Sequence, residues 1–236
     1  MKTLVVIPTY NERESIIPLI KILKQTNELD ILVVDDGSPD GTGALVDAFA
    51  AERSDIFCLH RERKMGLGTA YREGFAWALK HSYEQIVQMD GDGSHDPSHL
   101  PALRGEGEKW GLVIGSRYVP GGGSSVNWGL HRKLMSSLGN WYANTILHFR
   151  DRRYRIQDST GGYKCWNADV LRQIDFSKII SDGYAFQIEM NWLAVQQGAR
   201  IREIPIFFKD RTGGKSKLAR SGILRTALVP LLLRKK

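Results

Sequence analysis

Residues 4–42, which carry the clearest pattern of secondary structure in the chain, read LVVIPTYNERESIIPLIKILKQTNELDILVVDDGSPDGT. This stretch contains two short apolar, β-branched runs, 4–7 and 31–34, and each run stops at a polar loop. Between them, the apolar side chains of 14–25 repeat at helical spacing, at Ile16, Ile17, Leu19, Ile20 and Leu23. Two buried strands separated by a helix are typical of a βαβ unit with parallel strands.

The same alternation continues along the chain. The next predicted elements are a helix at 44–51, a strand at 56–59, a helix at 69–80 and a strand at 85–89. The second half is less regular, with a short strand at 113–114, a helix at 131–147 and a strand at 203–208. We find no internal repeat and no linker. The sequence therefore predicts a single α/β domain with a mostly parallel central sheet flanked by helices.

The composition is that of an ordinary globular protein. Of 236 residues, 42% are hydrophobic and 25% are charged, which excludes a disordered chain, a collagen-like fibre and a coiled-coil rod. The two cysteines are too few for a disulfide framework and suggest reduced thiols in the cytoplasm. There is no signal-peptide pattern and no apolar run near the ~20 residues needed to span a bilayer. We expect a protein that is soluble or lies on a membrane surface.

The net charge of +7 is unevenly distributed. Residues 1–116 carry 12 basic and 18 acidic side chains, whereas 117–155 carry 7 and 1, and 200–236 carry 11 and 2. A basic surplus suits nucleic acid, an anionic membrane or a phosphorylated ligand. No nucleic-acid recognition motif is present, so we expect no nucleic-acid partner.

Asp90-Gly91-Asp92 is the sharpest chemical feature. It follows the predicted strand 85–89, and two carboxylates two residues apart can reach one ion if the chain turns there. Hard oxygen ligands suit Mg²⁺ or Mn²⁺. In isolation a solvated turn explains such a motif equally well, but the loops 8–14 and 35–41 follow two other parallel strands and should open on the same sheet edge.

Several other clusters allow two interpretations. Asp35-Asp36 suits either a ribose or base contact, or a helix N-cap with its turn. His95, Asp96 and His99 suggest zinc, although Pro97 and Pro101 interrupt the helix that such spacing needs, which favours a polar loop. A nicotinamide-dinucleotide fingerprint and a complete P-loop are both missing.

Two basic segments near the C-terminus also allow two interpretations. Arg211, Lys215 and Lys217 share a glycine-rich loop that could close over a diphosphate or be a solvated turn. Residues 218–233 predict a basic amphipathic helix, with Ile223, Leu224, Ala227, Leu228 and Leu231 on one face. Such a helix lies on a membrane surface or packs on its own domain.

Taken together, these motifs resemble glycosyltransferase family 2, the inverting GT-A fold, and within it the polyprenol-phosphate (dolichol-phosphate) mannosyltransferases. The motifs that carry the resemblance are PTYNE (8–12), VVDDGSPDGT (33–42), MDGDGSHDP (89–97), GSRY (115–118), W-x-x-x-RK (128–133), DSTGGY (158–163), DGYAFQIE (182–189) and DRTGGKSK (210–217). The first three are shared across the wider family, and the others are specific to this branch.

The resemblance implies a role for each matching residue. The donor nucleotide would be held by Pro8, Tyr10, Glu12, Val34, Asp36, Asp90, Gly91, Asp92, Arg117, Arg211 and Lys217. Asp92 would be the firmest metal ligand, with Asp90 beside it and Ser94 a weaker third. Arg117, Arg132 and Lys133 would receive the lipid phosphate, and Asp92, Arg117 and Arg132 would form the catalytic set.

The implied activity is transfer of mannose from GDP-mannose to a polyprenyl phosphate, with Mg²⁺ or Mn²⁺. Residues 1–116 would form the nucleotide-sugar and metal half, 117–217 the acceptor half with the donor-closing loop, and 218–236 the C-terminal helix. The protein would lie on the cytoplasmic face of an anionic membrane, with a small membrane-anchoring subunit as a possible partner. A UDP-glucose-dependent transferase and a non-catalytic nucleotide-sugar-binding subunit are the alternatives.

Overall fold

The computed structural model describes residues 1–26, 28–124, 130–209 and 228–234. Its strands are β1 (Thr3–Thr9), β2 (Asp30–Asp35), β3 (Ile56–His60), β4 (Gln85–Gln88), β5 (Leu112–Ser116), β6 (Gly123–Ser124), β7 (Lys164–Asn167), β8 (Ile201–Pro205) and β9 (Phe207–Phe208). Its helices are α1 (Ile16–Thr26), α2 (Thr42–Ala50), α3 (Leu67–Lys80), α4 (Leu100–Gly107), α5 (Leu130–Arg150), α6 (Ala168–Arg172) and α7 (Gly183–Gln196). Residues 97–99 and 176–178 form 3-10 helices.

Seven strands form the central sheet, in the order β3-β2-β1-β4-β7-β5-β8. Six of them are parallel, and β7 lies antiparallel between β4 and β5. Strands β6 and β9 form a separate two-stranded sheet. The predicted α/β class and mostly parallel sheet are confirmed, whereas the strand predicted at 203–208 is interrupted at Ile206 and becomes β8 and β9.

Hydrophobic side chains cover both faces of the sheet. In β1, Leu4 and Val6 enter one core cluster while Val5 and Ile7 enter the other, because successive side chains of a strand point to opposite faces. Helices α3, α5, α6 and α7 contribute to the first cluster, and α1, α2 and α4 to the second. This double burial explains why the predicted strands are continuously apolar rather than alternating.

Residues 228–234 are helical and pack on the first core cluster. Val229 and Leu233 are buried there, whereas Leu228 and Leu231 of the predicted apolar face are exposed. The other members of that face, Ile223, Leu224 and Ala227, lie outside the described residues. The described part of the predicted apolar face therefore does not pack on the domain, which leaves the alternative of a membrane-surface helix. Among the helices described, none combines the length and the apolarity needed to cross a bilayer.

Candidate active site

The loops that follow β1, β2 and β4 meet at the carboxyl edge of the sheet, as predicted. Thr9 Oγ1 donates to Asp35 Oδ1 (3.1 Å), which joins the first two loops. Ser15 Oγ donates to the Gly91 carbonyl (2.8 Å), which joins the first loop to the Asp90-Gly91-Asp92 turn. Parallel strands thus bring residues that are about 80 positions apart in sequence into one polar cleft.

Asp35 and Asp36 have different environments. Asp35 accepts hydrogen bonds from the backbone N–H (3.1 Å) and hydroxyl (2.5 Å) of Ser38, so it builds the turn. Asp36 is buried and accepts from Arg61 Nη1 (2.6 Å) and from the backbone N–H groups of Met65 and Gly66 (2.9 Å each). Its carboxylate therefore holds the 61–66 segment against the cleft.

The other residues expected to hold the donor base line the same edge. Pro8 and Val34 are opposite each other in the β1–β2 register, and the Val34 side chain is fully buried in the core. The Val34 side chain can therefore only pack beneath the cleft, and any contact with a ligand would have to come from its backbone. Tyr10 is partly exposed, and Lys64 Nζ lies 4.0 Å from its ring centroid. The Glu12 backbone N–H donates to the hydroxyl of Thr42 (3.1 Å).

Asp90 is held by two aromatic side chains. The Tyr71 hydroxyl donates to Asp90 Oδ1 (3.2 Å), and His95 Nε2 lies 3.8 Å from Oδ2. His95 Nδ1 accepts the Asp90 backbone N–H (3.0 Å), which places the proton of a neutral ring on Nε2. Burial lowers the pKa of His95, against the raising effect of the Asp90 charge. A neutral imidazole leaves the negative charge of this carboxylate available to a cation.

Asp92 is nearly buried and forms a tight turn with Ser94. Its Oδ1 accepts from the Ser94 backbone N–H (3.1 Å) and hydroxyl (2.6 Å). Gly93 has φ 77°, a conformation that favours glycine. At Gly91 the constraint is space, because a Cβ there would lie 3.2 Å from Thr9 Cγ2. The turn therefore fixes both carboxylates at the end of the strand.

The zinc alternative is not supported by the histidine geometry. His95 Nδ1 is used by the Asp90 backbone, and His99 Nε2 accepts the Phe207 backbone N–H (3.0 Å). Within the described ranges, the group of His, Cys and Asp ligand atoms that converges within 4.8 Å is instead Asp47, Cys58 and His60, on α2 and β3.

Arg117 is clamped by the fully buried Asp158. The guanidinium donates from Nε to Oδ2 (2.8 Å) and from Nη2 to Oδ1 (2.7 Å), and the Arg117 backbone N–H also donates to Oδ2 (3.0 Å). Glu203 holds Asp158 in turn, because its Oε1 accepts the Asp158 backbone N–H (2.8 Å). This two-pronged geometry fixes the plane of the arginine.

Phe208 and Gly162 bring this arginine next to the carboxylate turn. The Phe208 ring lies 5.8 Å from the ring of His95 and 5.5 Å from Arg117 Cζ. Gly162 packs against the same turn, where a Cβ would lie 3.6 Å from the Asp90 carboxylate oxygens. The DSTGGY segment thus connects Arg117 at one end with Asp90 at the other.

The segment before the predicted donor-closing loop is tied to the turn as well. Lys209 Nζ pairs with Asp96 Oδ2 (2.7 Å), and the Lys209 backbone N–H donates to the Ser94 carbonyl (3.1 Å). Arg211 and Lys217 themselves lie outside the described residues. Arg132 and Lys133 are on α5, but their side chains are also outside the description.

The chain that carries this carboxylate turn and clamped arginine belongs to a known enzyme family. The chain is a member of glycosyl transferase family 2, whose sequence model matches residues 4–175. It is 45% identical over 230 residues to the undecaprenyl-phosphate mannosyltransferase of Micrococcus luteus, covering 97% of this chain and 92% of that one. It is also 45% identical over 226 residues to the polyprenol monophosphomannose synthase of Mycolicibacterium smegmatis, covering 94% and 83%.

Solved structures share the fold at low sequence identity. Glucosyl-3-phosphoglycerate synthase from Mycobacterium tuberculosis, in complex with Mn²⁺, UDP and glucosyl-3-phosphoglycerate, aligns with a TM-score of 0.68 and 20% identity, covering 99% of this chain and 79% of that one. The mannosyltransferase PcManGT from Pyrobaculum calidifontis, in complex with GDP-Man and Mn²⁺, aligns with a TM-score of 0.53 and 16% identity, covering 91% and 58%. These likenesses confirm the expected GT-A fold.

Proposed function

We propose that this protein transfers mannose from GDP-mannose to a polyprenyl phosphate and yields the β-linked polyprenyl-phosphate mannose. The observation that carries the proposal is the 45% identity to two polyprenyl-phosphate mannosyltransferases over almost the whole chain. The geometry supports it, because Phe208 packs against both the clamped Arg117 and His95, the residue that holds Asp90.

The acceptor has to be positioned, but it needs no general base. A phosphate monoester is already anionic at neutral pH, so its oxygen can attack the anomeric carbon without losing a proton to the protein. Arg117 is suited to meet that phosphate, because a guanidinium forms charge-assisted hydrogen bonds with phosphate and Asp158 fixes its orientation. A single in-line displacement then inverts the anomeric centre. Asp158 acts as an orienting group in this scheme.

The residues of the turn fit a divalent cation. Asp92 and Asp90 offer hard oxygen ligands, and the ring beside Asp90 is neutral. Ser94 would be the weaker third ligand, because its hydroxyl already donates to Asp92. When bound, Mg²⁺ or Mn²⁺ supplies Lewis-acid stabilisation of the leaving diphosphate. Complexes of two neighbours in fold with Mn²⁺ and a nucleotide or nucleotide sugar support this assignment.

Further contacts follow from the motifs of the family. Arg211 and Lys217 would close over the donor diphosphate, starting from Lys209, which is anchored to the turn. Arg132 and Lys133 would join Arg117 at the lipid phosphate. Tyr10, Glu12 and Asp36 would form the side of the cleft that faces the nucleoside.

A donor screen tests the function. We expect product of the mass of a polyprenyl-phosphate hexose with GDP-mannose and Mg²⁺ or Mn²⁺, and no turnover after removal of metal by EDTA. UDP-glucose, offered separately with the same lipid, is expected to give little product. Preference for UDP-glucose would favour the glucosyltransferase alternative, and no turnover with either donor, despite nucleotide binding, would favour a non-catalytic subunit.

We further propose that the protein binds the cytoplasmic face of an anionic membrane through α5 and the C-terminal segment. Both elements bury one side in the first core cluster. On α5, Leu138 is 48% exposed and Trp141 is 66% exposed, and three-residue spacing puts them on the same side. The C-terminal segment exposes Leu228, Leu231 and Leu232. Exposed apolar side chains in segments with a basic surplus, such as 117–155 and 200–236, are typical of surface-bound helices.

Vesicle binding checks this surface. We expect Leu138→Ser combined with Trp141→Ser to weaken binding to anionic phospholipid vesicles by at least about tenfold, because each side chain loses apolar burial in the interface. Ile22→Ser on α1, where the side chain is 47% exposed, is the matched control and should bind as the wild type does. Equal binding by the double variant and the wild type would refute the assignment of α5.

A further inference from the structure

A chain of buried polar side chains runs beneath the candidate active site, with Lys164 at its centre. Lys164 is on β7 and is fully buried. Its Nζ donates to Asn191 Oδ1 (2.7 Å) and to Gln187 Oε1 (2.8 Å), and it lies 3.3 Å from the Gln187 carbonyl. Gln187 and Asn191 are four residues apart on α7, so the same side of this helix faces the lysine.

One arm of the chain leads to the carboxylate turn. Gln187 Oε1, which accepts from Lys164, also accepts from Gln88 Nε2 (2.7 Å). The Gln88 side chain lies next to Tyr71, whose hydroxyl donates to Asp90 Oδ1 (3.2 Å). Lys164 is thus connected to the donor side of the cleft by buried side chains alone.

The other arm leads to the clamped arginine. Asn191 Nδ2 donates to the Ser159 carbonyl (3.1 Å). Ser159 is fully buried and directly follows Asp158, whose carboxylate holds Arg117. The second arm therefore ends at the residue proposed to receive the acceptor phosphate.

Burying a lysine at this position costs free energy of folding. The three oxygens around its Nζ are neutral amide oxygens, and burial lowers the pKa of Lys164 to about 7 although the charge of Asp158 raises it. An apolar side chain would fill the same space between sheet and helix without that cost. What an apolar residue cannot do is bond to both arms at once, which the Nζ of a lysine does.

We propose that Lys164 is a positioning residue that fixes the separation between the donor-side Asp90 and the acceptor-side Arg117. The inference rests on the proposed transfer reaction. Because each substrate binds its own loops, loss of the link should leave both binding steps nearly intact and misplace the two reactants relative to each other. A displacement of about 1 Å is enough to lower a rate by roughly 100-fold.

Lys164→Met tests the proposal, because methionine keeps much of the length and loses the three donors. We expect kcat, normalised to the number of GDP-binding sites measured by calorimetry with Mn²⁺, to fall by at least about 30-fold. The Kd for GDP and the KM values for GDP-mannose and polyprenyl phosphate should change by less than about threefold. Normalising to binding sites removes any loss of folded protein.

Gln85→Met is the matched control. Gln85 is also buried and polar on β4, but it bonds to Thr3 and to the Arg104 carbonyl at the opposite end of the strand. Its kcat per GDP-binding site should equal that of the wild type. If Lys164→Met does not fold, Gln187→Met and Asn191→Leu each cut one arm and should show the same loss of kcat.

A second readout does not need turnover. Bound Mn²⁺ relaxes the ³¹P signal of farnesyl phosphate with a steep, inverse sixth-power distance dependence, and this effect should weaken measurably in Lys164→Met if the separation grows. Wild-type kcat and relaxation in Lys164→Met, or a defect confined to KM, would overturn the inference. An inactive wild type would instead refute the proposed function, and the relaxation measurement would then decide the inference alone.

Discussion

Asp92→Asn is expected to lower kcat by roughly 10³-fold with either Mg²⁺ or Mn²⁺, the scale of losing a principal electrostatic contact to the transition state. The substitution is close to isosteric, and an asparagine oxygen can still accept the two hydrogen bonds from Ser94 that shape the turn. What disappears is the charge, which a hard divalent cation needs most. The melting temperature should therefore change little while turnover is lost, which steady-state kinetics and thermal unfolding together can establish.

Asp30→Asn serves as the control for this experiment. Asp30 lies at the opposite end of β2, where its Oδ2 accepts from the Tyr83 hydroxyl (2.6 Å), far from the cleft. It should retain wild-type turnover. An Asp92→Asn enzyme that still works at the wild-type rate would rule out Asp92 as the main metal ligand.

Arg117→Lys is expected to raise the KM for polyprenyl phosphate by roughly 30-fold, the equivalent of one charge-assisted hydrogen bond of about 2 kcal/mol. Lysine keeps a positive charge beside the buried Asp158 but cannot hold that carboxylate with one edge and a phosphate with another. Alanine would be a poorer test, because it leaves Asp158 buried without its partner, at about 3–5 kcal/mol. The measurement is the KM for each substrate with the other saturating.

Arg61→Lys provides the opposite pattern. Arg61 is buried and pairs with Asp36 (2.6 Å) and Thr69 (2.7 Å), on the side of the cleft that we propose faces the nucleoside. The Arg61→Lys substitution should raise the KM for GDP-mannose and change the KM for polyprenyl phosphate by less than about threefold. If Arg117→Lys impaired both substrates equally, the assignment of Arg117 to the acceptor would be wrong.

The first half of the fold could be predicted because its strands are short, apolar and regularly interrupted. Strand β7 could not be predicted, because it begins with the polar Lys164 and its other three residues are too few to show a strand pattern. Helix α7 could not be predicted from the sequence for a different reason. It is buried on most sides and carries the buried Gln187, Glu189 and Asn191, so it lacks the solvated face that makes helical periodicity visible.

The candidate site was predicted to a similar extent. The two aspartates and Arg117 stand out in sequence because their loops follow predicted strands or match family motifs. His95, which holds Asp90, lies in the same motif, 89–97. Tyr71 and Phe208, in contrast, come from distant parts of the chain and have no local signature. Only tertiary packing relates them, and a single sequence contains no information on such contacts unless a motif happens to include both partners.

The small β6–β9 sheet limits which segments can be exchanged when chimeras of related enzymes are built. Gly123 pairs with Phe207 and Ser124 with Phe208, and the Gly123 N–H donates to the Ile206 carbonyl (3.0 Å). Residues 123–124, which precede the proposed acceptor motif, and residues 207–208, which precede the proposed donor-closing loop, therefore lie side by side. Because backbone atoms make this junction, grafted segments can differ in side chains, but an insertion or deletion would shift the register. Both segments are best exchanged together, with 123–124 and 206–209 kept as the fixed splice points.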